Sequence, residues 1–124
     1  MPTVLIVDDD PDIRALMEFK LIQAGFEVHT EGDGEAGFAT ASAVRPAVVL
    51  LDWMMPRVSG LEMCTQLRAD PELADIGVIM LTGKSQEGDM QRGLAAGADD
   101  YLVKPFSPRE LVNRVESVLA RRTA

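Results

Sequence analysis

Four apolar residues, Val48-Val49-Leu50-Leu51, run without interruption into one carboxylate, Asp52, and then into Trp53-Met54-Met55-Pro56. No polar residue alternates with them, so the run fits a strand covered on both faces rather than one half exposed to water. Such a strand needs helices above and below it, and the rest of the chain supplies them. Short apolar runs recur at Thr3 to Val7, Ile76 to Leu81 and Tyr101 to Val103, with a more polar one from Phe26 to Thr30 that suits a sheet edge. Segments of helical period separate them. Five strands alternating with five helices predict right-handed βαβ crossovers, hence an α/β fold on a doubly wound, five-stranded parallel sheet.

The helix boundaries are written in the capping residues. Asp10-Pro11 suits an N-cap followed by proline at the first helical position, and Gly25 suits the stop after a helix reaching about Ala24. A second helix covers Asp33 to Ala43, closed by Arg45-Pro46. Ser59-Gly60-Leu61-Glu62 matches a capping box and opens a third, reaching about Arg68 before Asp70-Pro71 breaks it. Ser85 caps a fourth running to about Ala96, weakened by Gly88 and Gly93. Ser107-Pro108-Arg109-Glu110 is a second capping box before the last helix. On the first helix Ile13, Leu16, Met17, Leu21 and Ala24 share one face, interrupted by Lys20. Ala15, Phe19 and Ile22 form a small apolar stripe on the opposite face.

A chain of 124 residues is expected to form a single domain over 1–124. No apolar run approaches the roughly 20 residues that cross a bilayer, so no membrane contact is expected. The N-terminus passes straight into a strand without a basic region, which gives no sign of a signal peptide. The lone Cys64 rules out an internal disulfide, and a cytoplasmic location is expected. Twelve basic residues against twenty acidic leave a net charge of −8, which repels nucleic acid. The basic residues cluster only weakly, at Arg121-Arg122, so this chain is not expected to bind nucleic acid directly.

In an open parallel sheet, ligands bind just past the carboxyl ends of the strands. Here those ends carry Asp8, Asp9 and Asp10, then Asp52, then Thr82-Gly83, then Lys104-Pro105. Carboxylates brought together repel one another unless a positive charge lies between them. Hard carboxylate oxygens with a backbone carbonyl favour Mg²⁺, a lysine ammonium neutralises a phosphoryl oxygen, and a threonine beside glycine offers an unobstructed hydroxyl. Each feature has a plain alternative: a helix cap for the aspartates, a turn lysine, a helix-entry threonine. Asp10 fits the cap. Found together at strand ends, the others point to phosphoryl chemistry with a divalent metal.

Val7-Asp8-Asp9, Leu51-Asp52-Trp53-Met54-Met55-Pro56, Leu81-Thr82-Gly83 and Tyr101-Leu102-Val103-Lys104-Pro105-Phe106 together resemble the receiver domain of bacterial two-component response regulators. The resemblance covers the whole chain, in order. It implies a flavodoxin-like (βα)5 fold with strand order 2-1-3-4-5. By the same resemblance Asp52 is the phospho-acceptor. Asp9, Asp52 and the backbone carbonyl of Met54 hold Mg²⁺, with Asp8 acting through metal-bound water. Lys104 and Thr82 bind phosphoryl oxygens, Tyr101 moves with Thr82, and the Lys104-Pro105 bond is cis. The phosphodonor is a sensor histidine kinase or a histidine phosphotransfer protein. Catalysis is then self-directed phosphoryl transfer and dephosphorylation, not turnover of an external substrate. An alternative is a phosphohydrolase of the haloacid-dehalogenase type, with Asp8 as nucleophile and Asp10 as acid. It leaves Asp52 without a purpose.

Two partner surfaces are expected. The Ala15, Phe19, Ile22 stripe, beside the Asp8-Asp9 end of the sheet, suits a histidine-bearing partner helix; packing of Phe19 against the last helix is the alternative. The segments Gly97 to Tyr101 and Ser107 to Val112 resemble receivers that precede winged-helix DNA-binding domains. Such receivers pair through the fourth helix, fifth strand and fifth helix. Asp99, Asp100, Glu110, Arg114 and Arg121 supply most of the required charges, although Met90 stands where the family usually has a basic residue. A monomer, or a weak phosphorylation-dependent homodimer, follows. His29 reads as an exposed edge-strand residue, Cys64 as core, Trp53 as partly exposed, and Met54, Met55, Met63 and Met80 as packing residues.

Overall fold

Apolar runs flanked by helical segments fold as their pattern requires in the computed structural model, which describes residues 2–83 and 87–123. The elements are β1 (Thr3–Val7), α1 (Pro11–Gln23), β2 (Glu27–Glu31), α2 (Gly34–Val44), β3 (Val48–Asp52), α3 (Gly60–Ala69), β4 (Gly77–Thr82), α4 (Glu87–Ala95), β5 (Asp100–Val103) and α5 (Pro108–Thr123). The five strands form one sheet in the order β2-β1-β3-β4-β5. All four pairings are parallel. The polar strand β2 lies at an edge, as its composition predicts, while β3 and β4 are buried along their whole length.

Alternate residues of the central strands feed two cores. Leu5, Val7, Val49, Leu51, Val78 and Met80 pack with Ala41, Met63, Cys64 and Leu67 from α2 and α3. Val4, Ile6, Val48, Leu50, Ile79 and Leu81 pack with Met17, Leu21, Leu111, Val115 and Val118 from α1 and α5. Among the described residues no helix is long and apolar enough to cross a membrane.

Most departures from the expected boundaries are single-residue shifts with identifiable causes. Phe26 is not in β2 because its amide donates to the Leu21 carbonyl, finishing the turn that Gly25 makes at φ 100°. Asp52 and Thr82 belong to their strands, paired with Leu81 and Val103, because parallel pairing continues past the apolar run. Asp10 caps α1, and the Ser59–Glu62 capping box is complete. At α5, Ser107 accepts from the Glu110 amide, while the Glu110 carboxylate lies 3.8 Å from Arg114. Leu16 and Ala24 are exposed, so the buried stripe of α1 is narrower than expected: Met17 and Leu21, with Ile13 partly covered. The expected Ser85 cap lies outside the described residues, as does the side chain of Met90.

Candidate functional site

The site grows from three strand ends. Asp8 follows β1, and its amide donates to the Glu31 carbonyl at 3.1 Å, extending the ladder by one residue. One Asp8 oxygen accepts the Asp10 amide at 2.9 Å and the other accepts the Lys104 ammonium at 3.0 Å. Asp8 is fully buried. Asp52 ends β3, 5% exposed, with one oxygen 3.3 Å from the same ammonium. Lys104 is delivered there from β5: its amide donates to the Thr82 carbonyl, and the following peptide bond to Pro105 is cis.

Asp9 is exposed and completes the set. One oxygen each of Asp8, Asp9 and Asp52 lies within 4.8 Å of the others. Hard oxygen donors at this spacing fit Mg²⁺, which keeps several waters and takes few protein ligands. The charges leave a clear signature. Burial, then the Asp8 charge, push the Asp52 carboxyl up to about 7 against the opposing pull of Lys104. Burial acts to lower the Lys104 ammonium, but hydrogen bonds and charge from Asp8 and Asp52 outweigh it and hold it above the usual lysine value.

Thr82 is buried at the end of β4, and an added Cβ at the next residue, Gly83, would meet nothing within 4 Å. Tyr101 pairs in register with Met80 and packs on the same face of the sheet, half-buried. The β3–α3 loop folds back over the end of β3, where a Cβ on Gly60 would collide with the Asp52 carbonyl oxygen. The sequence places Gly60 inside a capping-box pattern and gives it no role of its own. A glycine just inside a helix is costly, and that cost is itself a signal of close backbone approach. Trp53 is half-buried, with Arg92 5.8 Å over its ring and a Cβ on Gly93 falling 3.1 Å from the indole. Met55, Met63 and Met80 are buried as expected, but Met54 is 66% exposed at the rim of the site. Its side chain has left the sheet, and only its carbonyl is a candidate for the site.

The expected surfaces separate from the core. Phe19 and Ile22 are 60% and 54% exposed, Ala15 is exposed beside them, and Leu16 adds a further apolar side chain. Phe19 is therefore not buried against the last helix. Asp100 lies 3.0 Å from Arg114 and 3.8 Å from Arg121, and Glu110 lies 3.8 Å from Arg114. Asp99 has turned elsewhere, to Arg68, Arg122 and the Val78 amide.

This geometry does not favour Asp8 as a nucleophile. Both its oxygens are engaged, and Asp10, the required acid, accepts from the amides of Asp12 and Ile13 at the start of α1. Residues 4–116 match the family model of the response regulator receiver domain. The DNA-binding dual master transcriptional regulator RpaA of Synechocystis sp. is 45% identical over 98% of this chain and 50% of its own length. The chain spans about half the length of the curated relatives it matches. The solved structure of chemotaxis protein CheY4 from Vibrio cholerae superposes with a TM-score of 0.91 at 36% identity, covering 95% of this chain and 98% of that one. The receiver domain of sensor histidine kinase PA1611 from Pseudomonas aeruginosa, solved with a magnesium ion in its active site cleft, gives 0.88 at 28%, covering 96% and 98%. Nothing in these relatives supports a phosphohydrolase. From strand order to strand-end chemistry, the chain belongs to the response regulator receiver domains.

Proposed function

We propose that Asp52 accepts a phosphoryl group from the phosphohistidine of a sensor histidine kinase or histidine phosphotransfer protein. The observation that carries this reading is the place of Asp52 at the end of the central strand, beside the Lys104 ammonium and two further carboxylates. An Asp52 oxygen attacks phosphorus, the phosphorus–nitrogen bond of the donor breaks, and the imidazole leaves. Asp9, Asp52 and the Met54 carbonyl would hold Mg²⁺, with Asp8 as the neighbouring buried carboxylate. When bound there, Mg²⁺ would offset the negative charge of a phosphoryl group. Lys104 takes one of those oxygens as a point charge, and the Thr82 hydroxyl takes another.

The consequence is a switch and not a released product. Thr82 shifts toward the phosphoryl group, Tyr101 follows, and the surface of α4, β5 and α5 changes. Residues 1–124 act as one receiver domain in the cytoplasm, without direct contact to nucleic acid. In a longer regulator, the output would be control of transcription through another domain. The partner helix docks on Ala15, Phe19 and Ile22.

The test is labelling with acetyl phosphate and Mg²⁺ followed by peptide mass spectrometry. The adduct is expected on Asp52. An adduct on Asp8 would return the phosphohydrolase reading.

A further inference from the structure

A site of three converging carboxylates needs something to hold them there against their mutual repulsion. Asp8 and Asp52 are fixed by burial, but Asp9 is exposed. What constrains Asp9 is the peptide it shares with Asp8, since the Asp8 carbonyl and the Asp9 amide nitrogen lie in one rigid plane. Arg14 holds that plane by its oxygen: Nη1 donates to the Asp8 carbonyl at 2.7 Å. On the other side of Asp8, the amide is held by the Glu31 carbonyl.

Arg14 is itself well placed. Its own amide donates to the Asp10 carbonyl in the first turn of α1, which Asp10 caps. Its guanidinium lies over Gly32, where an added Cβ would come within 3.0 Å of Nη1. Arg14 thus ties the start of α1 to the end of β1 at a single carbonyl, with the β2–α2 loop lying close against its guanidinium. We infer that Arg14 is a positioning residue for the metal ligands, orienting Asp9 through the Asp8–Asp9 peptide without touching the metal or the phosphoryl group. This rests on the reading that Asp9 and Asp52 hold Mg²⁺.

The sign of one measurement separates this role from a simple charge effect. A guanidinium near the site repels Mg²⁺, so losing its charge alone would tighten binding. Losing its hold on the peptide weakens binding. Mg²⁺ titrations, followed by Trp53 fluorescence and by calorimetry, compare wild type, Arg14→Gln, Arg14→Lys, Gly32→Ala and Asp9→Ala. The Kd of Arg14→Gln is expected to rise about tenfold, as for loss of an outer partner of a metal ligand. Arg14→Lys, which keeps a charged donor of longer reach than the Gln amide, recovers part of the loss. Gly32→Ala keeps the charge but crowds the guanidinium, and its Kd rises in the same direction. Should Arg14→Gln prove unfolded in EDTA, Gly32→Ala decides alone. Unchanged or tighter binding in both variants, with the response lost in Asp9→Ala, overturns the role of Arg14 and leaves the metal assignment standing. A wild-type protein that binds no Mg²⁺ overturns both.

Discussion

The ammonium of Lys104 lies 3.3 Å from an Asp52 oxygen, although 52 residues separate the two in the chain. The same ammonium also serves Asp8 at 3.0 Å, so one cation is shared between two buried anions with Asp9 close by. Among the described residues, one ammonium faces three carboxylates at this end of the sheet. The cost falls on Asp52.

Stability should record that cost. The Asp52 carboxyl is pushed up to about 7, above the ordinary aspartate value of 3.8, by burial and then by Asp8. Between these values the folded protein binds a proton that the unfolded chain has released. Stability from this group is therefore full at acid pH and is lost as pH rises through 7. Lys104, held above its usual value, stays charged throughout that window. In EDTA, Asp52→Asn should unfold at higher urea than wild type at pH 8, by about 1–3 kcal/mol, and gain nothing at pH 4. Saturating Mg²⁺ should shrink the difference. Equal stability of the two proteins across the range would remove the electrostatic account.

Phe19 tests the partner surface. Because Phe19 is 60% exposed, Phe19→Asp should change stability by about 0.5 kcal/mol or less. Transfer from a cognate phosphohistidine should slow about tenfold, the loss of roughly 1.4 kcal/mol of docking energy. Labelling by acetyl phosphate should be untouched, since a small donor needs no docking surface. Equal slowing of both reactions would mean that Phe19 supports the site and not a partner.

The division between legible and hidden features has a physical basis. Val48 to Leu51 and Ile76 to Leu81 declared themselves because strands covered on both faces tolerate no polar interruption. Asp10 and Ser59 declared helix starts because capping chemistry is local. Strand order did not come from such patterns: crossovers of similar length leave it open, and the resemblance supplied it. Leu16 and Ala24 misled because a helical face drawn from spacing is wider than the stripe its neighbours cover. Arg14 was invisible for another reason. Its partner is a backbone carbonyl, and every residue has one.

Asp99 is a stability residue. Its carboxylate accepts from the Val78 amide at 2.8 Å, from Arg68 at 3.0 Å and from Arg122 at 2.6 Å. It joins the ends of α3 and α5 to β4. Asp99→Ala would leave the Val78 amide without this acceptor and take one partner from each of two guanidinium groups, which keep backbone carbonyls, and should cost about 1–3 kcal/mol in urea unfolding. Asp99→Asn keeps an acceptor and should cost less. A loss under about 0.5 kcal/mol for Asp99→Ala would show that water replaces the carboxylate without penalty. Because of this role, Asp99 variants are a poor probe of self-association, and Arg114 and Arg121 are better ones.

Self-association itself should be weak. Asp100 is already paired with Arg114 and Arg121, and Glu110 with Arg114, within one chain. Forming these pairs across a two-fold axis means giving up or sharing the internal ones. Exposed ion pairs contribute only about 0–1 kcal/mol each, and salt screens them over roughly 10 Å. Phosphorylation can promote pairing only by the difference in affinity between the two states of the α4, β5 and α5 surface. The unmodified protein should sediment as a monomer. Beryllofluoride with Mg²⁺, standing in for the phosphoryl group, should give a weak dimer at low salt that dissociates at high salt. Arg114→Ala or Arg121→Ala should weaken it further while leaving acetyl-phosphate labelling unchanged. A tight dimer without beryllofluoride, or one indifferent to salt, would place association on a different surface, with the exposed apolar face of α1 the next to test.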